Sequence, residues 1–83
     1  MRARIFVRLR PGVLDPEGTT IQKALVGLGF GEVRDLRVGK TYAVELAETD
    51  RARAGARLDE MCRKLLANPV IEEYSIEVEG PGA

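Results

Sequence analysis

The stretch that most constrains the fold is an alternating segment, VRDLRVGKTYAVELA, at positions 33 to 47. Apolar side chains of one parity indicate a β-strand with one buried face, and here they are Leu36, Val38, Tyr42, Val44 and Leu46. A two-residue hairpin at Gly39 and Lys40 would send Tyr42 and Leu36 to opposite faces. A three-residue loop, or one long strand kinked at Gly39, keeps them together. We expect the long strand, whose projecting ends would need another chain to cover them.

A strand and a capped helix precede this segment. Residues 3 to 9 alternate between the two faces of a predicted strand. Asp15 can serve as a helix N-cap, and Pro16 suits the first helical position. Gly29 can adopt the left-handed conformation just past a helix end, which predicts a helix over residues 16 to 28. Its apolar stripe comprises Ile21, Ala24, Leu25 and Leu28.

A second helix and a last strand follow. Thr49 or Asp50 can open the helix, and Pro69 ends it at about residue 67 because proline cannot continue a helix. The predicted inward stripe consists of Ala54, Leu58, Met61 and Leu65, with Cys62 and Leu66 at its edge. Residues 70 to 78 alternate again, with most glutamates on the solvent side, and form the last predicted strand.

This element order predicts an α+β sandwich of the ferredoxin-like type, an antiparallel sheet with both helices on one face. The first and last strands are then neighbours. The first ten residues contain four arginines and no acid, whereas residues 70 to 83 contain four glutamates and no base. Cross-strand pairs would neutralise both sets. A chain of 83 residues builds one core, and we expect one domain over residues 1 to 79 with a frayed tail at 80 to 83.

Composition excludes several classes of function. Thirteen basic and 13 acidic residues give a formal net charge of zero, which removes the electrostatic basis for binding nucleic acid or an anionic membrane. The chain has no histidine and one cysteine, Cys62, so His/Cys zinc sites, a Cys-His nucleophile and an intrachain disulfide are ruled out. We expect Cys62 to be a small core residue of a soluble, cytoplasmic protein without a signal peptide.

No catalytic constellation stands out in the sequence. Asp15 and Glu17 are explained by the helix start, and Gly39-Lys40 lacks the spacing of a nucleotide-binding loop. Lys40 interrupts the apolar parity, so it is either a contact to a partner or anion or a solvated kink. Phe6 stands among arginines on the sheet face that no helix covers, which predicts a sheet-to-sheet subunit contact.

Three segments together resemble the PurS family, the small subunit of bacterial and archaeal phosphoribosylformylglycinamidine synthase. The segments are LDPEGTTIQKALVGLGF at 14 to 30, VGK at 38 to 40 and KLLANPVIEEYSIEV at 64 to 78. The family pattern maps onto Asp15, Pro16, Gly18, Gly29, Gly39, Lys40, Asn68, Pro69, Ile71, Glu72 and Tyr74. Caps, turns and core also explain several of these positions, so the match alone assigns them no contact role.

The resemblance implies a non-catalytic subunit of a glutamine-dependent carbon-nitrogen ligase complex of purine synthesis. A large synthetase subunit would use ATP and Mg²⁺, a glutaminase subunit would supply ammonia, and this chain would bridge the two and support ammonia passage. The chain itself would bind no cofactor or metal and would form a homodimer or homotetramer. The candidate partner or assembly contacts are Phe6, Gly39, Lys40, Tyr42, Asn68 and Glu72.

Two other classes of protein share the element order. A dimeric ligand-binding module of the ACT kind, the main alternative, needs a tight middle hairpin and a glycine-rich first loop, whereas that loop here is RPGVLDPEG. An RNA-recognition motif needs several aromatics on its central strands, where Phe6 stands alone. The sequence fits both classes less well than the PurS family.

Overall fold

Three strands and two helices make up the structure, a computed structural model that describes residues 1–79. The elements are β1 (Arg2–Leu9), α1 (Pro16–Gly27), β2 (Gly39–Glu45), α2 (Arg51–Met61), a π-helical turn that continues α2 (Cys62–Leu66), and β3 (Glu72–Val78). The strands form one antiparallel sheet in the order β2-β1-β3. The predicted α+β fold of the ferredoxin-like type is confirmed. The predicted tail at 80 to 83 lies outside the described residues.

Successive side chains of the central strand β1 point to opposite faces of the sheet, which are the helix-side face and the outer face. The buried residues of β1 are Ala3, Ile5 and Val7. Residues directly opposite in neighbouring strands share a face, and Ile5 lies opposite both Tyr42 and Ile76. The outer face carries the arginines of β1, and Arg8 Nε lies 2.8 Å from a carboxylate oxygen of Glu73. The predicted pairing of arginines in β1 with glutamates in β3 is therefore confirmed.

The ends of α1 agree with the prediction from sequence. The Asp15 side chain accepts a hydrogen bond from the backbone N–H of Gly18 at 2.9 Å. At the other end, the Phe30 N–H donates to the Leu25 carbonyl at 3.0 Å, and Gly29 has a φ of 106°. This is the Schellman arrangement, in which a left-handed glycine closes the last helical turn.

The apolar stripe of α1 is not buried within this chain. The helix makes no extended contact with the sheet or with α2, and its buried residue is Gly18 rather than a stripe residue. Ile21 is 38% exposed and Leu28 is 75% exposed. The radius of gyration is 16.2 Å, against about 12 Å for a compact domain of this length. The helix therefore projects from the body instead of completing its core.

The expectation of one long strand over residues 33 to 47 is wrong. The strand β2 begins only at Gly39, and the segment before it pairs with no strand within residues 1–79. That segment is held by the loop after β1, because the Val38 N–H donates to Asp15 and the Arg37 guanidinium donates to loop carbonyls. The hairpin alternative is also absent, since residues 33 to 38 do not pair with β2.

The helix layer of the core comes from α2 and the π-helical turn. Asp50 caps α2 by accepting from two backbone N–H groups, and three inward residues are fully buried, namely Ala54, Leu58 and Cys62. Leu65, predicted to point inward, is 83% exposed. The Ala67 N–H bonds to the Cys62 carbonyl, and this five-residue step rotates the following side chains away from the α-helical stripe. Leu66 packs against the core instead.

Candidate partner-binding surfaces

Asp15 joins the start of α1 to the chain that enters β2. The residue is 6% exposed, and its carboxylate accepts from the backbone N–H of Gly18 at 2.9 Å and of Val38 at 2.8 Å. These bonds favour the ionised form, so the pKa of Asp15 lies below its ordinary value. A Cβ atom on Gly18 would clash with the Leu36 carbonyl oxygen. Both motif positions are therefore required by the close approach of two backbone segments.

The predicted contact residues Gly39, Lys40 and Tyr42 lie on β2. A Cβ atom on Gly39 would lie 2.7 Å from the Val7 carbonyl oxygen, so only glycine fits this approach to β1. Lys40 pairs with Val7 in regular register and shares the helix-side face with Tyr42. Its ammonium lies 5.8 Å from the centre of the Tyr42 ring. Lys40 is exposed on a face that α1 leaves uncovered.

Asn68 and Glu72 form the turn that leads into β3. The Glu72 N–H donates to the Asn68 carbonyl at 2.7 Å, and the Glu72 carboxylate accepts from the Asn68 N–H at 2.7 Å. The Asn68 side chain accepts from the Val70 N–H at 3.1 Å. The strand consequently starts at Glu72, two residues later than predicted, and Val70 is 79% exposed. Arg10, which the sequence analysis did not single out, anchors this turn by donating to the Pro69 carbonyl.

The predicted contact residues fall into two groups. Gly39, Lys40 and Glu72 line one cleft of about 280 Å³, together with Asp15 and Glu17. The cleft is therefore the place where β2, the α1 start and the turn before β3 meet. Tyr42 lies beside it on the same sheet face. Phe6 is not part of this group, because it lies on the outer face.

Phe6 occupies the middle of the outer face. It lies opposite Thr41 on one side and Ser75 on the other, so small polar residues surround a half-buried ring. Ion pairs flank it along β1, from Arg8 to Glu73 at 2.8 Å and from Arg4 to a glutamate at 3.8 Å. The placement of Phe6 on the face without helices is as predicted.

A second surface, the α2 groove, was not predicted from sequence. It is an apolar depression of about 410 Å³ lined by Arg57, Glu60, Met61, Lys64, Leu65 and Leu66. Glu60 pairs with Lys64 at 2.7 Å and with Arg57 at 3.3 Å, so the rim carries two cations and one carboxylate. The groove depends on the π-helical turn that exposes Leu65, and the apolar periodicity of an ideal α-helix carries no signal for that turn.

A polar cluster fastens α2 to β3. The Tyr74 hydroxyl donates to Asp59 at 2.5 Å, and Arg63 donates to the other carboxylate oxygen at 2.8 Å. These bonds lower the pKa of Asp59, and the Asp59 hydrogen bond raises the pKa of Tyr74. Burial, with a smaller effect of Asp59, raises the pKa of the Cys62 thiol. The arrangement holds the helix in place and keeps the thiol protonated, as expected for a core cysteine.

Within residues 1–79, the residues that the sequence singles out thus cap helices, allow close backbone contacts and form turns. They lie around two open faces. Within this range no three His, Cys, Asp or Glu side chains are grouped to hold a metal ion. None of the described helices has the length and apolar character needed to cross a bilayer. The geometry defines a small α+β protein that leaves the apolar stripe of α1 and the α2 groove exposed.

Comparison with known proteins identifies the family. The family model PurS, described as phosphoribosylformylglycinamidine (FGAM) synthase, matches residues 2–80. The PurS subunit of Synechocystis is 49% identical over 75 residues, covering 90% of this chain and 75% of that protein. The crystal structure of PurS from Methanocaldococcus jannaschii superposes with a TM-score of 0.87 at 42% identity, covering 96% of each chain. The chain belongs to the PurS family.

A third similarity is to a protein in an assembly. One chain in the structure of PurLQS from Thermotoga maritima is 34% identical, with a TM-score of 0.84 and coverage of 92% of this chain and 93% of that one. The chain is accordingly a subunit of FGAM synthase, a glutamine-dependent ligase complex, and it has protein partners. The alternative, a ligand-binding module of the ACT kind, requires a tight middle hairpin, and the described residues form none at that position.

Proposed function

We propose that this chain is the non-catalytic small subunit of FGAM synthase, which bridges the glutaminase and the large synthetase subunits and supports ammonia transfer between them. The observation that carries the proposal is the family match over residues 2–80, together with the similarity to a chain of PurLQS. The roles of the motif residues agree with it. Asp15, Gly18 and Gly39 are occupied in holding backbone segments together, which leaves them no reactive role.

The proposal assigns ATP and Mg²⁺ to the synthetase subunit. The start of α1 is the position where a helix would attract a phosphate. Here the Asp15 carboxylate already accepts the Gly18 N–H, and Glu17 adds a second negative charge in the first turn. An incoming phosphate would meet repulsion there, which supports a chain that binds no nucleotide itself.

We further propose that the cleft at the start of β2 contacts another subunit. Lys40 is exposed and has no carboxylate within salt-bridge distance among the described residues. Gly39 and Tyr42 belong to its strand, and Glu72, which accepts a hydrogen bond from the Asn68 N–H, lines the cleft as well. An acidic group of the synthetase subunit would complement the ammonium of Lys40.

The proposal also includes self-association as a homodimer or homotetramer. The exposed stripe of α1 and the free edge of β2 are both incomplete in a single chain, and unpaired edges and apolar faces favour association. Phe6, ringed by balanced charges on the outer face, would serve a sheet-to-sheet contact between pairs.

Reconstitution of the synthase tests the bridging role. The glutaminase and synthetase subunits are assayed with and without this chain, using either glutamine or an ammonium salt as nitrogen donor. We expect omission to abolish glutamine-dependent amidine formation while the ammonium-dependent reaction persists, because a bridge is needed only when ammonia must pass between subunits. Equal loss with both donors, no loss with glutamine, or turnover by this chain alone would each contradict the proposal.

A further inference from the structure

The strand β3 forms one edge of the sheet, and its register shows which backbone groups face outward. In an antiparallel pair, opposite residues alternate between those that exchange both backbone hydrogen bonds and those that exchange none. The Glu79 N–H donates to the Arg2 carbonyl at 2.8 Å, which continues the register of β3 with β1. The odd-numbered residues of β3 therefore bond to β1. The N–H and C=O groups of the even-numbered residues, which include Tyr74 and Ile76, point away from the sheet.

Both ends of this edge are closed, and its middle is open. The Glu72 N–H donates to the Asn68 carbonyl at 2.7 Å, and the Arg51 guanidinium donates to the Val78 carbonyl at 2.6 Å. Within the part of the chain that the structure describes, the outward groups of the two even-numbered residues between these ends have no hydrogen-bond partner. The open stretch is long enough to pair with an extended segment of about five residues.

The charge beside the open stretch selects what pairs with it. Glu73 and Glu79 lie within salt-bridge distance of arginines of β1. Glu77 is exposed and has no cation within that distance among residues 1–79. Like charges directly opposite destabilise a strand pair, and opposite charges stabilise it. A second copy of β3 would bring glutamates against glutamates, so the edge disfavours its own copy and favours a segment with lysine or arginine on its outer face.

The β3 edge and the proposed synthetase contact lie on opposite sides of the sheet. The synthetase contact is the cleft at the start of β2, where Lys40 is exposed. The strand order β2-β1-β3 places the central strand between β2 and the outward groups of β3. A chain that bridges two subunits needs two surfaces that are occupied at the same time, and this separation supplies the second one.

We propose that an extended, basic segment of the glutaminase subunit adds to the β3 edge as a fourth strand. The outward groups of Tyr74 and Ile76 supply the backbone hydrogen bonds, and Glu77 accepts a cationic side chain of the segment. In this mode of recognition, backbone bonds give affinity and side chains give specificity. The inference deepens the bridging role and rests on it. It names the surface and the chemistry of the contact, which the family match does not.

Amide hydrogen exchange of the unaltered chain tests the strand addition directly. In the free chain, the amides of Ser75 and Glu77 should exchange slowly because they bond to β1, whereas those of Tyr74 and Ile76 should exchange fast. Addition of the synthetase subunit alone should preserve this alternation. In the complete synthase, the amides of Tyr74 and Ile76 should exchange at least about tenfold more slowly. Deuterium labelling of each assembly, followed by quenching and fragmentation to single residues, gives the rates.

Charge variants of Glu77 test the selection of the segment. We measure the glutaminase concentration that gives half-maximal amidine formation from glutamine. We expect Glu77→Lys to raise it at least about fivefold, and Glu77→Gln to raise it less. Glu32→Lys, at an exposed glutamate outside the sheet, is the matched control and should leave it unchanged. The ammonium-dependent reaction should be the same with every variant. Because Arg4 lies opposite Glu77, melting curves check the fold, and Glu77→Gln carries the comparison if the lysine variant is unstable.

The outcomes separate the strand addition from the bridging role. Fast exchange of Tyr74 and Ile76 in the complete synthase, or slow exchange with the synthetase subunit alone, would overturn the strand addition. Folded Glu77 variants that require no more glutaminase than Glu32→Lys would also overturn it. If the unaltered chain still supports amidine formation from glutamine, the bridging role stands in each of these cases. If it does not, the bridging role fails, and the strand addition fails with it.

Discussion

Asp15 and Val38 are joined across 23 positions of chain by a hydrogen bond of 2.8 Å from the Val38 N–H to the Asp15 carboxylate. The other carboxylate oxygen caps α1 through Gly18. One side chain therefore sets where the helix begins and how it is oriented towards the start of β2. The direction of α1, on which the exposure of its apolar stripe depends, is controlled from this residue.

Asp15→Asn should destabilise the fold in a pH-dependent manner. An amide offers one acceptor oxygen where the backbone presents two N–H donors, so one bond is lost. The pKa of Asp15 is lowered from its ordinary value of 3.8, so the carboxylate stabilises the fold above about pH 3.8 and this contribution disappears as the pH falls through the folded-state pKa. Urea unfolding should show a lower midpoint for the variant at pH 7 and a gap that closes in acid. Glu17→Gln, an exposed acid in the same turn, should follow the unaltered chain, and an equal loss in both variants would contradict this role.

Gly18→Ala and Gly27→Ala should have opposite effects although both lie in α1. A Cβ atom on Gly18 would clash with the Leu36 carbonyl oxygen, whereas one on Gly27 would have no neighbour within 4 Å. We expect Gly18→Ala to cost more than about 1 kcal/mol and Gly27→Ala to stabilise by about 0.5 kcal/mol through lower unfolded-state entropy. Chemical denaturation gives both values. A neutral Gly18→Ala would show that the two backbones separate easily.

Leu58→Ala should be the most costly truncation in α2. The side chain is fully buried between the helix and the sheet, and deleting a buried leucine side chain costs about 2–5 kcal/mol. Leu14→Ala, at a position 77% exposed, should change the free energy of unfolding by less than about 0.5 kcal/mol. Guanidinium titrations of the two variants at equal protein concentration provide the comparison. A cost below that of Leu14→Ala would place the core elsewhere.

Lys40→Ala should affect assembly more than folding. Within residues 1–79 the ammonium lies 5.8 Å from the centre of the Tyr42 ring and has no carboxylate within salt-bridge distance, so we expect a stability change below about 0.5 kcal/mol. If the synthetase subunit contacts this charge, its removal costs about 2 kcal/mol of binding, which is about thirtyfold in affinity. Calorimetric titration against the synthetase subunit, with melting curves as the folding control, measures both. Arg2→Ala, which removes an exposed cation on the outer face, is the matched variant. Equal binding by the two variants would show that Lys40 faces solvent and does not contact the synthetase subunit.

Local signals predicted the helix ends and the sheet faces well. Asp15 and Gly29 act at α1 as expected because caps depend on a few adjacent residues. Tyr42 and Phe6 lie on the predicted faces because parity alone decides the face of a strand. These features could be read from sequence since nothing distant in the chain competes with them.

The remaining errors involve interactions that sequence periodicity does not report. Residues 33 to 38 have strand-like parity, yet none of the three described strands pairs with them. Leu65 follows helical spacing until the π-helical turn moves it outward. The groove it lines was missed for the same reason, and the anchoring role of Arg10 was missed because its partner is a carbonyl 59 positions away.

The strand order affects how the chain folds while the ribosome synthesises it. The central strand β1 is synthesised first, but its neighbour β3 is synthesised last, and Arg8 and Glu73 are separated by 65 positions. During translation, the arginine-rich strand and the inner side of α2 emerge before β3 exists to complete the sheet. Such non-local pairing closes slowly. Loss of β3 would therefore leave β1 paired with β2 alone, and Arg8 without its carboxylate partner Glu73.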